Sequence, residues 1–367
     1  MKPRLLIFEL RMMGDAIMAL PFVRAALEKY DVWVCCTPIA AEVFRLVLPA
    51  EQIVEWTPPW LVETGKYKWS RWQNSGIRSV VKKLRTIRAD TAVSVWADSR
   101  VHILMTLSGA RQRIGFPMAS QNYYAHQAPW RRRQLQLGRA LAMGSSLLLL
   151  RPLLTRPIDR VSYFQHHVED WRQLGEVLDL NWDASAPWLV PRVQPLAPHI
   201  RHLIDQAHSR NEKVWLIHAG ARTPGKRWPV EKFGRVISEI FLTRKIPFVW
   251  LESPEAEVDD SFLTESVHCK AENVADLFNI LQAVDRVVCN DTGVGHAAAA
   301  LNKRVVAVFS SGLPQWFAPY DNLDLVADRE VCPHRPCLDR CVMPSYICLE
   351  AVTFELVRAK IEKLLHE

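Results

Sequence analysis

The sequence feature that most constrains the fold is a short apolar run that passes through Asn-Asp-Thr-Gly into a series of alanines. Residues 286–289 read Arg-Val-Val-Cys, which predicts a short buried strand, and the alanines at 297–300 predict a closely packed helix. A strand joined to a helix by a tight glycine-containing turn leaves free backbone N–H groups at the helix N-terminus. These donors coincide with the positive end of the helix dipole, so the turn is suited to binding an anion.

Side chains at this turn extend the predicted anion site towards a larger ligand. Asp291, Thr292 and His296 stand beside Gly293 at the predicted rim. Carboxylate, hydroxyl and imidazole groups next to an anion site indicate a phosphorylated ligand that also carries hydroxyl groups. An ordinary strand–helix turn, in which Asp291 or Thr292 caps the helix, is the alternative interpretation.

The rest of the chain alternates between predicted strands and helices. The strands fall at residues 5–8, 32–36, 52–56, 92–96, 214–217, 248–251, 286–289 and 305–309. The helices fall at residues 16–29, 40–48, 77–87, 166–178, 229–241, 275–283 and 294–301. Such alternation is typical of parallel, doubly wound sheets, whose ligand sites lie at the carboxyl ends of the strands. A proline-rich linker near residues 184–198 divides the 367 residues into two α/β domains.

Two further strand ends carry candidate site residues. Gly14 and Asp15 follow the first strand, although an ordinary turn without a functional role could have the same sequence. After the first strand of the second half, Gly220 and Ala221 precede Lys226. Small residues let backbone amides approach a phosphate closely, and a cation that follows them neutralises its charge. A generic loop with a solvated lysine is the alternative.

The formal net charge of +7 is unevenly distributed. Residues 1–190 carry 25 Lys and Arg against 16 Asp and Glu, whereas residues 191–367 carry 21 against 23. The basic excess of the first half predicts an anionic partner there. Between residues 130 and 160, seven arginines and one acid interleave with leucines, a pattern typical of a surface that meets an anionic membrane or glycolipid. A solvated basic helix is the alternative, and no nucleic-acid partner is predicted because no nucleic-acid motif accompanies the charge.

Cysteine usage and hydropathy predict a cytoplasmic protein. The N-terminal residues lead directly into the strand at 5–8, so no secretory signal is expected. The run most like a membrane segment, residues 140–150, is too short to cross about 30 Å of hydrocarbon as a helix. Eight cysteines without a secretory signal indicate thiols that serve packing or metal binding in a reducing compartment.

Four of the cysteines lie close together near the C-terminus. They fall within 17 residues and are Cys332, Cys337, Cys341 and Cys348. Four thiols can close a tetrahedral structural site for zinc or iron. Their spacing differs from a double Cys-x-x-Cys knuckle, so unliganded thiols are the alternative. The other four lie mostly in apolar runs and are interpreted as core residues: Cys35, Cys36, Cys269 and Cys289.

Three motifs in this order resemble a known family of enzymes. They are Gly14-Asp15 with Leu20-Pro21 in the following helix, Lys226-Arg227-Trp228-Pro229, and Asn290-Asp291-Thr292-Gly293 with His296. Together with Arg113-Ile114-Gly115-Phe116, they make the chain resemble glycosyltransferase family 9, the bacterial ADP-heptose:lipopolysaccharide heptosyltransferases, over nearly its whole length. The resemblance implies a GT-B fold, in which two Rossmann-like domains face a central cleft.

The resemblance also implies how the domains divide the reaction. Residues 1–190 would bind the acceptor, residues 191–350 would bind the nucleotide sugar, and residues 351–367 would form a helix that crosses back to the N-terminal domain. The family's first loop usually reads Arg-Leu-Ser-Ser-Leu before Gly-Asp, whereas this chain has Leu10-Arg11-Met12-Met13. The hydroxyl contacts of that loop are therefore absent, which leaves the acceptor open.

Roles for individual residues follow from the same resemblance. Asp15 would be the general base that deprotonates the acceptor hydroxyl, next to an acceptor loop formed by Met13 and Gly14. Lys226 would be the second catalytic residue, because its ammonium would stabilise charge on the departing diphosphate. The donor contacts would be Gly220, Ala221, Lys226, Glu255, Asp291, Thr292, Gly293 and His296, although Glu255 could also be an ordinary solvated loop residue.

The resulting prediction is an inverting glycosyltransferase that moves a heptose from ADP-heptose to a lipopolysaccharide inner-core acceptor without a catalytic metal. Its partners would be the nucleotide sugar, an anionic glycolipid and the cytoplasmic face of the membrane. One alternative is a protein O-heptosyltransferase, favoured if the cysteine cluster holds iron. Another is a non-catalytic nucleotide-sugar-binding protein, which the joint presence of Asp15, Lys226 and Asp291 disfavours.

Overall fold

The computed structural model describes residues 2–61, 69–117, 153–162, 164–183, 185–190, 194–253, 255, 267–337 and 341–367. Most of the arginine-rich stretch predicted at 130–160 lies outside these residues. The chain divides into two compact units, Met1–Ala184 and Ser185–Glu367. None of the helices in the described ranges combines the length and the apolar composition that a membrane-spanning segment needs.

The first unit is built on a six-stranded sheet. Its strands are β1 (Arg4–Glu9), β2 (Asp31–Cys36), β3 (Ile53–Glu55), β4 (Thr91–Ser94), β5 (Gln112–Gly115) and β6 (Arg156–Pro157), in the order β3-β2-β1-β4-β5-β6. Its described helices are α1 (Met13–Met18), α2 (Leu20–Lys29), α3 (Pro38–Phe44), α4 (Trp69–Gln73), α5 (Ile77–Ile87), α6 (Ser99–Leu107) and α7 (His167–Val177). All of its strand pairs are parallel, as predicted.

The local sequence explains how the first strand and helices form. Residues 5–8 of β1 are fully buried, as expected for a strand of a parallel sheet that is covered on both faces. The single helix predicted at 16–29 forms instead as α1 and α2, which meet at Ala19. Pro21 has no N–H with which to bond the carbonyl of Ile17, so the hydrogen-bond pattern of the helix is interrupted there.

Three of the tryptophans between residues 56 and 72 belong to the core of the first unit or pack against it. Trp56 and Trp60 are buried, and their rings pack edge to face with centroids 5.3 Å apart. Trp72 continues the cluster at 5.7 Å from Trp60. Because Leu84 of α5 joins the same core cluster, these aromatic rings help to hold one face of α5 against the sheet.

The second unit is built on another six-stranded parallel sheet. Its strands are β7 (Trp215–His218), β8 (Phe248–Leu251), β9 (His268–Cys269), β10 (Arg286–Asn290), β11 (Arg304–Val308) and β12 (Val326–Ala327), in the order β12-β11-β10-β7-β8-β9. Its described α-helices are α8 (Pro198–Ser209), α9 (Val230–Val236), α10 (Val274–Ala283), α11 (Gly293–Ala300), α12 (Pro314–Phe317), α13 (Ile347–Glu350) and α14 (Phe354–Leu365). The helix predicted at 229–241 is α9 followed by a π-helical turn, Ile237–Leu242.

The two sheets share one strand order. Counted from its own first strand, each sheet reads 3-2-1-4-5-6, which is the order of a Rossmann-type doubly wound fold. In such a sheet the winding direction reverses between strands 1 and 4, and a ligand crevice opens at their carboxyl ends. The reversal lies between β1 and β4 in the first unit and between β7 and β10 in the second.

The boundary between the units lies a few residues before the predicted end of the first domain at residue 190. Trp188 is buried, and its backbone N–H donates to the carbonyl of Ala300 at 2.8 Å, so this segment belongs to the second unit. The predicted C-terminal helix is present as α14. It buries Ile361 in the hydrophobic core of the second unit, while its return to the first domain stays a prediction.

Candidate active site

In the second unit, the segment after β7 lies beside the turn after β10. The two strands are parallel neighbours, with His218 paired in register to Cys289. The chain reverses its winding direction at this pair, so the segments that leave the two strands border the ligand crevice. The two sequence segments predicted to bind an anion therefore meet at one edge of one sheet.

Asn290 joins these two segments through its side-chain amide. Its Nδ2 donates to the carbonyl oxygen of Ala219 at 2.7 Å, and its Oδ1 accepts from the backbone N–H of Trp228 at 3.2 Å. Asn290 is fully buried, so neither bond competes with solvent. Ala219 and Trp228 flank the loop that carries Lys226. Asn290 therefore holds both ends of that loop, a role that the sequence motif alone does not predict.

Lys226 forms an ion pair with Asp291. Its Nζ lies 2.9 Å from Oδ2 of Asp291, with side-chain exposures of 25% and 6% respectively. The ammonium group therefore remains accessible, whereas the carboxylate is almost enclosed. A cation held in this way can share its hydrogen bonds with a phosphate that arrives beside it. The sequence predicted both residues as donor contacts but did not predict that they pair.

Gly220 is required by the close packing of two loops. A Cβ atom at this position would lie 2.1 Å from Oγ of Ser253, in the loop after β8. The Ser253 hydroxyl donates to the carboxylate of Glu255, and this bond lowers the pKa of Glu255. Glu255 is thus held as an anion beside the loop after β7, where Ala221 is buried. Three of the predicted donor contacts are brought together here.

Helix α11 begins at the predicted anion turn. Thr292 is its N-cap residue and has an extended backbone, and its side chain makes no capping hydrogen bond. The first N–H groups of the helix, beginning with that of Gly293, have no partner within the helix itself. His296 lies in the following turn and is buried, so it is less accessible than the rim position predicted for it. The alanines at 297–300 are buried as predicted.

In the first unit, Asp15 lies in the first turn of α1, directly after β1 and its short loop. Its Oδ2 accepts from the backbone N–H of Met12 at 3.0 Å, and its side chain is half-buried. An acid in this position also stabilises the helix N-terminus, which is a structural role. Met13 and Gly14, predicted to lie in an acceptor loop, are instead the first two residues of α1.

A second carboxyl group, Glu9, lies at the end of β1 and was not predicted. It is fully buried, and the indole Nε1 of Trp96 lies 3.0 Å from each of its carboxyl oxygens. Burial, and then the negative charge of Asp15, raise the pKa of Glu9 well above the usual glutamate range. The first switch point therefore holds two carboxyl groups in different surroundings, one fully buried and one half-buried.

Trp96, which follows β4, also contacts side chains from two other parts of the first unit. The guanidinium of Arg11 lies 4.4 Å from the centre of the Trp96 ring, and the His167 ring packs against Trp96 with centroids 4.5 Å apart and a tilt of 39°. His102 is buried nearby on α6, and burial lowers its pKa to about 4, so it is neutral at pH 7. This part of the first unit offers three partly exposed groups to a ligand, namely the ring of Trp96, the guanidinium of Arg11 and the carboxyl group of Asp15.

The C-terminal cysteine cluster does not lie in a preformed metal geometry. All four of its cysteines are among the described residues, and within those residues no three His, Cys, Asp or Glu side chains are placed to hold a metal ion. Burial raises the pKa of the Cys348 thiol, and the Cys341 Sγ faces the carbonyl of Ser345 at 3.8 Å. Metal binding by this cluster stays a prediction. The other four cysteines are buried, as predicted.

The cysteine segment nevertheless contacts the loop beside Asp291. The backbone N–H of Cys337 donates to the carbonyl of Ser311 at 3.2 Å, and Arg335 donates from Nη2 to the carbonyl of Gly312 at 2.6 Å. A Cβ atom on Gly312 would lie 3.7 Å from Oδ2 of Asp291. The segment therefore supports the loop that packs beside Asp291, although it carries none of the predicted donor contacts.

Comparison with known proteins gives the family. A sequence profile of glycosyltransferase family 9 (heptosyltransferase) matches residues 141–347. Lipooligosaccharide heptosyltransferase 2 of Haemophilus influenzae is 30% identical over 106 residues, which cover 26% of this chain and only 30% of that protein.

Solved structures give the fold. A family 9 glycosyl transferase from Veillonella parvula has a TM-score of 0.65 at 15% identity, over 99% of this chain and 97% of that chain. Escherichia coli heptosyltransferase WaaC, solved with ADP, has a TM-score of 0.63 at 17% identity, over 98% of this chain and 99% of that chain. The profile covers more than half of the 367 residues, and both sheets have the strand order of a Rossmann-like domain. The chain therefore belongs to glycosyltransferase family 9, the heptosyltransferases, and has their GT-B fold.

Proposed function

We propose that this protein transfers a heptose from ADP-heptose to a lipopolysaccharide inner-core acceptor, with inversion at the anomeric carbon. The observation that carries the proposal is the Lys226–Asp291 pair at the N-terminus of α11, in a loop that Asn290 holds at both ends. A cation, an almost enclosed carboxylate and free helix amides form a suitable holder for a sugar diphosphate. Family membership supports a sugar as the group that is transferred.

The donor half of the proposal assigns a role to each group of the second unit. Lys226 and the amides of Thr292 and Gly293 stabilise the charge that grows on the leaving diphosphate. Asp291 accepts hydrogen bonds from sugar hydroxyls, and Glu255 accepts them from the ribose. ADP is the proposed nucleotide because the similar WaaC protein was solved with ADP. This donor site needs no catalytic metal, because the ammonium and the amides supply the positive charge.

The acceptor half assigns the proton transfer to Asp15. Its carboxylate takes the proton of the acceptor hydroxyl while that oxygen attacks the anomeric carbon of the heptose. The bond from the anomeric carbon to the diphosphate oxygen breaks on the opposite side, and ADP leaves with the electron pair. Attack from one side and departure from the other invert the configuration. Asp15 suits this role because it is half-exposed, whereas its neighbour Glu9 is fully buried.

A nucleotide-sugar panel tests the proposed reaction. The purified protein is incubated separately with ADP-heptose, UDP-sugars and GDP-sugars. Each reaction contains a lipopolysaccharide core acceptor and is run with and without a chelator, and the release of the nucleoside diphosphate is measured. ADP-heptose alone should be consumed, and the anomeric configuration of the product should be inverted. Asp15→Asn should lower kcat by about 100-fold or more while ADP still binds, because a general base contributes at least that much.

Several outcomes would contradict the proposal. Turnover that stops with the chelator would contradict the metal-free reaction. An unchanged kcat in Asp15→Asn would show that Asp15 is not the general base. Binding of ADP without turnover of any donor would indicate a nucleotide-sugar-binding protein. Transfer to a protein Ser or Thr in place of the glycolipid would indicate protein heptosylation. We further propose that the protein works in the cytoplasm, at the inner face of the membrane where a glycolipid acceptor would lie.

A further inference from the structure

Helix α5 of the first unit carries a one-sided array of positive charge. Its sequence and its C-cap residue contain no acid, and the cations are exposed. They are Arg78, Lys82, Lys83, Arg85 and Arg88. The opposite side of the helix is buried in the core of the first unit through Val80, Leu84 and Ile87. The helix is therefore fixed to the sheet by its apolar side and presents its basic side outwards.

The cations form a row along the helix. Arg78, Lys82 and Arg85 are spaced four and three residues apart, so their side chains lie one above another. From Arg78 to Arg85 the row extends about 10 Å at the α-helical rise. Arg88 is the C-cap residue that follows the last turn. Together with Val81 and Thr86, these four cations line a shallow groove on the surface.

The row has little compensation from its own protein. In the part of the chain that the structure describes, Arg85 donates to the carbonyl of Leu107, and none of the five cations forms an ion pair with a carboxylate. Like charges three and four residues apart disfavour a helix, and a cation in the first turn, such as Arg78, opposes the helix dipole. An external anionic surface would relieve this repulsion.

Three exposed cations of the second unit are paired, unlike those of α5. Arg210, Lys213 and Lys270 have 60%, 62% and 64% of their side chains exposed, and each lies beside a carboxylate of its own unit. The formal net charge is also higher in the first half of the sequence, to which α5 belongs. Net charge alone does not explain why the unpaired cations gather on one helix face.

We propose that the basic face of α5 docks on the phosphate headgroups of an anionic lipid bilayer. A bilayer presents many phosphates in one plane, and an open row of cations can contact several of them at once. A single phosphate would instead be bound in an enclosed site. The face has no aromatic residue interleaved with its cations on which nucleic-acid bases could stack. This inference rests on the proposed function only in that a glycolipid acceptor would lie in the same membrane.

Vesicle binding by the full chain tests the proposal. Vesicles of phosphatidylcholine with phosphatidylglycerol are compared with vesicles of phosphatidylcholine alone, by sedimentation at low and at high salt. The test variant replaces Arg78, Lys82 and Lys83 with Gln, a good helix former, so that α5 stays folded. Arg85 is kept because of its hydrogen bond to Leu107. Circular dichroism and Tm show whether the variant has kept its fold.

A second triple variant provides the matched control. It carries Arg210→Gln, Lys213→Gln and Lys270→Gln, so its net charge falls by the same three units. The α5 variant should bind anionic vesicles about 10- to 100-fold more weakly, as expected for the loss of three cations near a charged surface. The control should stay within about twofold of wild type, because its cations already have carboxylate neighbours.

Other results would overturn the proposal. Equal losses in the two variants would attribute binding to net charge, and equal binding by wild type and the α5 variant would place the docking surface elsewhere. Release from vesicles by millimolar inorganic phosphate at constant ionic strength would indicate a site for single phosphates. Tighter binding to duplex DNA than to vesicles, lost in the α5 variant, would assign the face to nucleic acid. None of these readouts depends on sugar transfer, so failure of the proposed function would remain distinguishable.

Discussion

Asn290 supports the geometry of the proposed donor site, although none of the proposed chemistry occurs on it. Its amide bonds one backbone group at each end of the Lys226 loop, and both bonds are buried. A carbonyl or N–H that loses such a partner inside the protein costs about 1–3 kcal/mol. The same loss would also let the loop depart from the position in which Lys226 meets Asp291.

Asn290→Ala should therefore weaken ADP binding about tenfold, in addition to lowering Tm, since about 1.4 kcal/mol corresponds to that factor. Calorimetric titration with ADP measures the effect. Asn322→Ala is the matched control, because Asn322 is a buried amide that bonds the backbone of Val305 and Tyr320 at the other edge of the same sheet. It should lower Tm by a similar amount and leave ADP affinity unchanged. Equal affinity losses in both variants would mean that Asn290 only supports the fold.

Glu9 gives the first unit a pH-dependent stability. Its folded pKa is raised above the ordinary value of 4.5, first by burial and then by Asp15. The neutral acid is therefore favoured in the folded protein, and stability falls as the pH rises from about 4.5 through the raised pKa. Above the raised pKa, the free energy of unfolding is lower by about 1.4 kcal/mol for each pH unit between the two pKa values.

Glu9→Gln should remove this loss, because its amide is neutral at every pH and its carbonyl can still accept from Trp96. Thermal unfolding across pH 4 to 9 should show a variant that is more stable than wild type above the raised pKa and similar to it in acid. A constant difference in Tm at all pH values would show that Glu9 does not titrate in the folded protein.

At the scale of elements, the sequence predicts where strands and helices occur better than where they end. The alternation of apolar runs is a local property, so α5 and the strand β10 appear where the pattern predicted them. The end of β4 depends on tertiary contacts. The predicted strand at 92–96 stops at Ser94, whose hydroxyl bonds the carbonyl of Phe8, and Trp96 is then free to donate to Glu9.

The same limit applies to the candidate site. Lys226, Asp291 and Gly220 could be found from the sequence, because each lies in a short motif after a predicted strand. Glu9 and Asn290 could not be assigned, because their importance comes from partners 87 and 62 residues away in the chain. A charged residue at the end of a buried strand, such as Glu9, was the one available signal that a carboxyl group lay at the switch point.

The prediction of a structural metal site in the cysteine segment can be tested directly by metal analysis. Its spacing predicted a structural metal, whereas its thiols do not lie in a ready metal geometry within the described residues. Metal analysis of protein purified without chelator should find zinc or iron bound if the four thiols draw together around an ion. Cys332→Ser with Cys348→Ser should then abolish the bound metal. A metal-free protein with four alkylatable thiols would establish the alternative of unliganded cysteines.

At the scale of the whole molecule, the repeated strand order indicates that the two units can be separated into fragments. Each unit has its own parallel sheet with its own core, and the proposed donor contacts all lie in the second unit. A domain with a closed core can in principle fold alone. The proposed acceptor base, Asp15, lies in the first unit, so donor binding and turnover should separate when the chain is divided.

A fragment of residues 185–367 should therefore fold and bind ADP within about tenfold of the full chain, a difference of about 1.4 kcal/mol, while it transfers no sugar. A fragment that begins at the predicted boundary, residues 191–367, loses the buried side chain of Trp188 and its bond to Ala300. Removal of a buried tryptophan costs about 3–5 kcal/mol, so the shorter fragment should unfold at a much lower temperature. Thermal unfolding and ADP titration of both fragments measure this. A folded longer fragment that does not bind ADP would mean that the first unit contributes to the donor site, and the assignment of donor binding to the second unit alone would be wrong.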